Sequence, residues 1–420
     1  MRSAGNDWEE SCVICLWPLR SACPLWHLPH LSAETVRIAG FGGSDPAVIT
    51  NLLNIVLADD IAAAGITVEY TPIDGDFSQF ILNALSAGTA PDLFYVDIFW
   101  SGAIFSAGQA APVTDATLAA ALIPNIAAAF TRAGQLMGYP KDFNTLAIHY
   151  NVDIFDEAQV EYPDADDTWD DFATKLTAVH DALGDDVAGM CLVADYARFG
   201  AFALASGWTP FNAEGRTVLD DNFRRAFTFY TGLADTGAGV LAADVGEGWT
   251  GGCMGAEKAA VAMEGAWMIG FLRDSAPSMV WGSAPIPSDP VSGQRGNLIF
   301  TVAWTVNAAS PVAAAAQTPA GLLTSENAQQ AVLEQGLAIP SRAALSDNAY
   351  FDGTDVASSA NRIVFEGASD GNVLPYYFGG YGGAWMEPIN SALNAVMPGE
   401  SDVDAALAGA QAALDTLTSQ

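Results

Sequence analysis

The sequence predicts an α/β protein built as two lobes, and three observations carry that expectation. The chain has 420 residues, 51% of them hydrophobic and 10% aromatic, which is enough for two cores of ordinary size. Residues 35–97 alternate strand-like and helix-like patterns. The stretch Gly138 to Ala158, GYPKDFNTLAIHYNVDIFDEA, sets a polar Lys141-Asp142 turn before an alternating strand, Leu146 to Tyr150. That order suits a crossing between lobes, and such crossings are where ligand clefts form.

The elements follow in order. Thr35 to Phe41 reads as a first strand running into the turn Gly42-Gly43-Ser44-Asp45. Ala47 to Ala64 carries Val48, Leu52, Ile55, Val56 and Ile61 at helical spacing, with Gly65 as its stop. Ile66 to Thr71 is a second strand and Asp76 to Ala87 a second helix. Asp92 to Asp97 is almost wholly apolar between its ends, as a strand buried on both faces should be. A largely parallel sheet is expected from this alternation. Further along, Asn151, Asp153 and Phe155 mark a helix or turn start. Thr168-Trp169-Asp170-Asp171 predicts a capped helix with Thr168 as N-cap. Helices are expected over Phe199–Leu204 and Phe223–Leu233, and strands over Ala256–Met263, Trp281–Pro287 and Thr301–Val306. Tyr376 to Met386 is dense in aromatics and glycine, and Leu393 to Leu417 closes the chain as helix.

Composition removes several classes of function. Net charge is −34, with 15 basic residues of which the lysines are Lys141, Lys175 and Lys258; phosphate backbones need clustered Lys and Arg, so no nucleic-acid partner is expected. The acids are spread along the chain and read as a solvated surface rather than as steering of a cationic ligand. The pattern G-x-G-x-x-G is absent, which argues against a dinucleotide cofactor. The carboxylates at 164, 166, 167, 170 and 171 lack the spacing of a calcium loop. His27, His30, His149 and His180 show neither nucleophile nor zinc spacing, and there is no G-x-S-x-G. No cofactor and no metal are expected. Past residue 33 there is no apolar run of membrane-spanning length.

The first 33 residues stand apart, holding three of the five cysteines (Cys12, Cys15, Cys23) and Trp8, Trp17 and Trp26. Leu31-Ser32-Ala33 suits a small-residue cleavage site, whereas Asp7, Glu9 and Glu10 make an acidic start where a signal peptide is basic. Residues 1–34 are read as an unusual export signal or a non-native segment, with the folded part beginning near Thr35. Cys191 and Cys253 remain, and in an exported protein they either pair or stay as two buried thiols.

Several motifs in one order resemble the extracellular solute-binding proteins of sugar ABC transporters, the family that includes maltose-binding protein. PDLFYVDIFW (91–100) is similar to its strand and loop ending in Trp, GYPKDFNTLAIHYNVDIFDEA to its lobe crossing, and TWDDF (168–172) to a helix start. KAAVAMEGAWMIGFL (258–272), GSAPIP (282–287) and the tail with Tyr381, Trp385, Glu387, Pro388 and Ile389 complete the set. The resemblance implies a two-lobe periplasmic-binding-protein-like fold with a hinge and an interlobe ligand cleft. It implies a first lobe of 35–142 plus 301–342 and a second of 143–300 plus 343–420. The protein would be a monomer, exported to the periplasm or cell exterior with or without a tether. It would capture a mono- or oligosaccharide without catalysis and deliver it to permease subunits.

Sugar binding needs flat aromatic faces for C–H surfaces, and carboxylates and amides for hydroxyls. Phe41, Trp100, Trp208, Trp267, Trp304, Tyr377, Tyr381 and Trp385 are the candidates for the first role; Asp45, Asp97, Asp142, Asn144 and Glu264 are the candidates for the second. A lone Trp is more often core than platform. By its place after Glu264-Gly265, Trp267 matches the family's stacking Trp, and Trp100 and Trp385 come next by the same matching. Trp169, Trp249 and Trp281 are assigned to packing. Two other functions remain open: the same fold binding a polyamine, an amino-acid derivative or a phosphodiester, and a glycoside hydrolase using two of Asp97, Asp142 and Glu264, which needs a carboxyl pair at a set separation.

Overall fold

Glu34–Phe41 forms its strand by burying Val36, Ile38 and Ala39, and it runs parallel to both Ile66–Ile73 and Leu93–Asp97. In this computed structural model residues 34–43 and 45–418 are described, Asp235 by its backbone alone. The carboxylate of Asp92 locks the start of this layer by accepting from the Arg37 backbone N–H at 2.8 Å and from its guanidinium. Leu93 to Val96 are buried on both faces, as their unbroken apolar run predicts.

The sheet continues past these parallel strands in the order Leu93–Asp97, Gly296–Val306, Tyr139–Asn144, Ile339–Pro340, all antiparallel, and is therefore mixed. Gly296–Val306 begins five residues before the expected strand. Its extra residues pair in parallel with Asn372–Pro375. The second sheet has the order Trp281–Ala284, Ala147–Asn151, Ala259–Glu264, Ala188–Leu192, Gly239–Leu241. Thr145 and Leu146 alone separate the strand Tyr139–Asn144 of the first sheet from Ala147–Asn151 of the second. Asn297 grips this passage with both ends of its amide, accepting from Leu146 N at 2.9 Å and donating to Leu146 O at 2.8 Å.

Two expectations change here. Lys141-Asp142 is no turn: it lies inside the strand Tyr139–Asn144, buried, because the two opposite charges neutralise each other within hydrogen-bond reach. The first long helix is broken by a π turn, Leu52–Val56, between Asp45–Asn51 and Ala58–Ala63. The wider turn shifts the apolar face, so Ile55 is 73% exposed instead of buried.

Helix starts follow their caps. Thr168 accepts from Asp171 N while the Asp171 carboxylate accepts from Thr168 N, a complete capping box for Trp169–Leu183. Asp164 and Asp167 of the neighbouring acidic run pair with Lys175. Asn151 caps Val152–Ala158, and the closing region is two helices, Glu387–Val396 and Val403–Thr418. Among the described residues no helix is long and apolar enough to cross a membrane.

Cys191 and Cys253 form a disulfide with a Cα–Cα distance of 6.1 Å, tying the strand Ala188–Leu192 to the helix Thr250–Gly255 across 62 residues. A loop of that length is worth about 4 kcal/mol in chain entropy. The Cys191→Ser/Cys253→Ser variant should therefore melt roughly 5 °C lower under non-reducing conditions, given a melting entropy of about 2.1 cal/mol/K per residue. Wild type with reductant should reproduce that shift. Equal melting of oxidised protein and double variant would remove the bond from the stability of this fold.

Candidate functional site

Strand ends aim the first group of polar side chains at one place. Asp45 begins the helix after the first strand, Asp97 ends the third, and Asp142 lies on the neighbouring antiparallel strand. Lys141 sits between them, bonded to Asp142 and 3.7 Å from Asp45, with its Nζ 5.0 Å from the Tyr95 ring centre. Burial alone would push the ammonium down, but the two carboxylates more than offset it and the Lys141 pKa is raised. Burial, with help from Asp45, pushes the Tyr95 hydroxyl up.

Asp97 has no ion-pair partner among the described residues. Its carboxylate caps the helix Ile98–Ser106 by accepting from Phe99 N at 3.0 Å, and the residue as a whole is part-exposed. Burial pushes it up to about 7; the Phe99 bond opposes this, the charge of Asp142 adds to it, and Lys141 opposes it. The ordinary value is 3.8, so the folded state holds this proton between about pH 4 and 7 when the unfolded chain has lost it. The resulting stability is full near pH 4, declines as pH rises to 7 and is constant above that. Melting temperatures of wild type relative to Asp97→Asn, which can still cap the helix, should fall across this window. Parallel curves from pH 4 to 8 would refute the shifted carboxyl.

Aromatic side chains form a row beside Asp97. Trp267 meets Phe300 edge-on at 6.0 Å between ring centres, Phe300 lies 4.9 Å from Tyr376, and Tyr376 lies 6.0 Å from Phe99. Phe99, Trp267 and Phe300 are part-exposed. Burial pushes the Tyr376 hydroxyl up, with the charges of Asp195 and Asp97 adding to it and that of Arg198 opposing it. Arg198 lies with its guanidinium carbon 5.9 Å from the Trp267 ring centre, and it donates to Glu264 at 2.5 Å. Nearby, Tyr377 is part-exposed under the Arg132 guanidinium at 4.8 Å, and Tyr381 stacks with Phe211 at 6.1 Å.

The sequence candidates divide accordingly. Asp45, Asp97 and Asp142 come together around Lys141, Trp267 joins the aromatic row, and Tyr377 and Tyr381 keep part-exposed faces. Phe41 packs at 5.0 Å against both Phe77 and Tyr95 with part of its ring open. Asn144 is buried and accepts from Ala266 N at 3.0 Å, so it links the first sheet to the Glu264–Trp267 turn. Five candidates are built into the protein instead. Trp385 is fully buried, stacked on Phe378 at 4.3 Å and donating to Thr217. Trp208 donates to Val218 O, and Trp304 is buried against Tyr95 at 4.1 Å. Trp100 is buried on the helix Ile98–Ser106. Glu264 is 0% exposed with its oxygens taken by internal donors. Trp208, Trp385 and Glu264 have their polar atoms taken within the fold, and Trp304 and Trp100 are buried.

Phe99, Phe300, Tyr376, Asp195 and Arg198 were not singled out by sequence. Arg198 carried a signal: it is the one charge in the helix Tyr196–Ala205, YARFGAFALA, whose other residues are all buried. Among the described residues there is no His, Cys, Asp and Glu cluster able to hold a metal.

A family model described as bacterial extracellular solute-binding protein matches residues 56–330. The fold is similar to an ABC substrate-binding protein from Listeria monocytogenes in complex with cycloalternan, at TM-score 0.82 and 19% identity over 92% of this chain and 99% of that one. It is also similar to the GacH receptor of Streptomyces glaucescens, whose structures include complexes with acarbose, at TM-score 0.76 and 21% identity over 92% and 99%. A maltotriose-binding protein of Thermus thermophilus, bound with maltotriose, matches at TM-score 0.74 and 20% identity over 91% and 99%. At these identities the likeness establishes the two-lobe α/β fold. No curated protein sequence matches the chain.

Proposed function

Since the chain belongs to the bacterial extracellular solute-binding proteins, we propose that it captures a carbohydrate between its two lobes and delivers it to the permease of an ABC importer. The observation that carries this reading is the row of part-exposed Trp267, Phe300 and Phe99 around the buried Tyr376, with the Asp97 carboxylate on the Phe99 N–H. Part-exposed rings offer faces to C–H surfaces, and carboxylates accept from hydroxyls. The sugars named with the similar structures, cycloalternan, acarbose and maltotriose, agree with an oligosaccharide.

In this reading the first lobe takes 35–142 plus 301–342 and the second takes 143–300 plus 343–420. Closure would turn about Thr145-Leu146 and the start of Gly296–Val306, where Asn297 joins the two passages. The role is binding without turnover. Of the three carboxyls a hydrolase would draw on, Glu264 is committed to Arg198, Thr250 and Trp267, and Asp142 to Lys141. Export is part of the reading; the expected signal lies in residues outside the described ones. The protein acts as a monomer toward its ligand.

Tryptophan fluorescence titrated with maltose, maltotriose, maltotetraose and a cyclic glucan should change saturably, with the sugars recovered intact by chromatography. Hydrolysis products would move the reading to an enzyme. Saturation by spermidine and by none of the sugars would move it to a cationic solute.

A further inference from the structure

Glu264 is an acid with no path to solvent and three donors. Arg198 Nη2 donates to Oε2 at 2.5 Å, Trp267 Nε1 donates to the same oxygen at 2.8 Å, and the Thr250 hydroxyl donates to Oε1. Its backbone oxygen lies 3.1 Å from His149 Nε2. The next residue, Gly265, lies against the Trp267 ring: a Cβ there would come within 2.5 Å of the indole Cζ3 and 2.7 Å of Cη2. The backbone at Gly265 is outside the left-handed region that favours glycine, and the three atoms nearest to an added Cβ all belong to the ring. Phe300 closes on the indole edge-on. The protein's own groups therefore fix Trp267 at its N–H, along one long edge and on a flank.

We propose that Glu264 and Gly265 are positioning residues that set the rotamer and plane of the Trp267 indole before ligand arrives, with Thr250 and Arg198 holding the Glu264 carboxylate in place. The proposal rests on the reading of Trp267 as a carbohydrate platform. A ring already ordered loses little freedom on stacking, so the network acts on affinity through preorganisation rather than through contact with the sugar. It also explains an acid in this turn that reaches no ligand. An isolated buried carboxylate is costly, whereas one that binds a guanidinium, an indole N–H and a hydroxyl is satisfied.

The test uses the full chain with 15N-labelled tryptophan, the Trp267 indole N–H resonance being assigned by its loss in Trp267→Phe. Gly265→Ala should shift that resonance and speed its hydrogen exchange while the melting temperature stays within about 2 °C of wild type. Maltotriose affinity should fall about tenfold, a change of about 1.4 kcal/mol. Glu264→Gln and Thr250→Val should move the indole resonance the same way, and Thr250→Ser should restore it. An unchanged indole resonance and exchange rate in both Gly265→Ala and Glu264→Gln overturns the proposal. The indole signals decide the positioning role whether or not maltotriose binds; failure of wild type to bind any sugar of the panel counts against the carbohydrate reading alone.

Discussion

Trp267→Ala is expected to weaken carbohydrate binding about 30-fold, or ~2 kcal/mol, with the melting temperature within about 2 °C of wild type. The ring is part-exposed, its edge meets Phe300, and its N–H is one of three donors to Glu264. Removing it leaves Glu264 still bonded to Arg198 and Thr250, so no buried charge is stranded. Loss of the stacking face is the main consequence. Calorimetric titration of the tightest-binding sugar with wild type and variant measures the first quantity, and a thermal melt the second. A drop of many degrees with unchanged affinity would make Trp267 a core residue and sink the platform.

Lys141→Met is expected to have the opposite signature, a large loss of stability. Lys141 is the one cation that the buried carboxylates of Asp45 and Asp142 share as an ion pair among the described residues. Taking it away leaves two buried acids without a counter-charge, a change that costs about 3–5 kcal/mol. For a chain of this size that is a fall of roughly 5 °C in melting temperature. The double variant Lys141→Met/Asp142→Asn should recover part of the loss, because one stranded charge goes with the other. Urea denaturation of the three proteins gives the comparison. A single variant as stable as wild type would show that these acids are not held as charged groups by Lys141.

How much of this was legible in the sequence depends on the kind of signal. Patterns that report local chemistry transferred well. The apolar run between Asp92 and Asp97 became a strand buried on both faces, and Thr168 with Asp171 became a capping box. Patterns that depend on what lies opposite did not transfer. Lys141 and Asp142 look like a turn because paired charges are rare inside sheets; their burial requires Asp45, almost a hundred residues earlier, to be folded beside them. The tryptophans show the same limit. Trp267 and Trp385 are both preceded by small residues, yet one stays part-exposed and the other is sealed by Phe378 and Thr217. Only the partner distinguishes them. Phe300 and Tyr376 were missed because each directly follows the segment in which Gly296–Ile299 pairs with Asn372–Pro375, a pairing between distant parts of the chain that brings the two rings together.

The strand Gly296–Val306 carries a further consequence. It lies between Leu93–Asp97 and Tyr139–Asn144, receives Asn372–Pro375 along Gly296–Ile299, and through Asn297 fastens Leu146, 151 residues earlier. A chain cut anywhere before it lacks the middle of its first sheet and the fastening of its second. The two sheets are therefore woven from one thread, and neither can be lifted out whole. Any attempt to express half of this protein as a soluble module would have to cut through that weave.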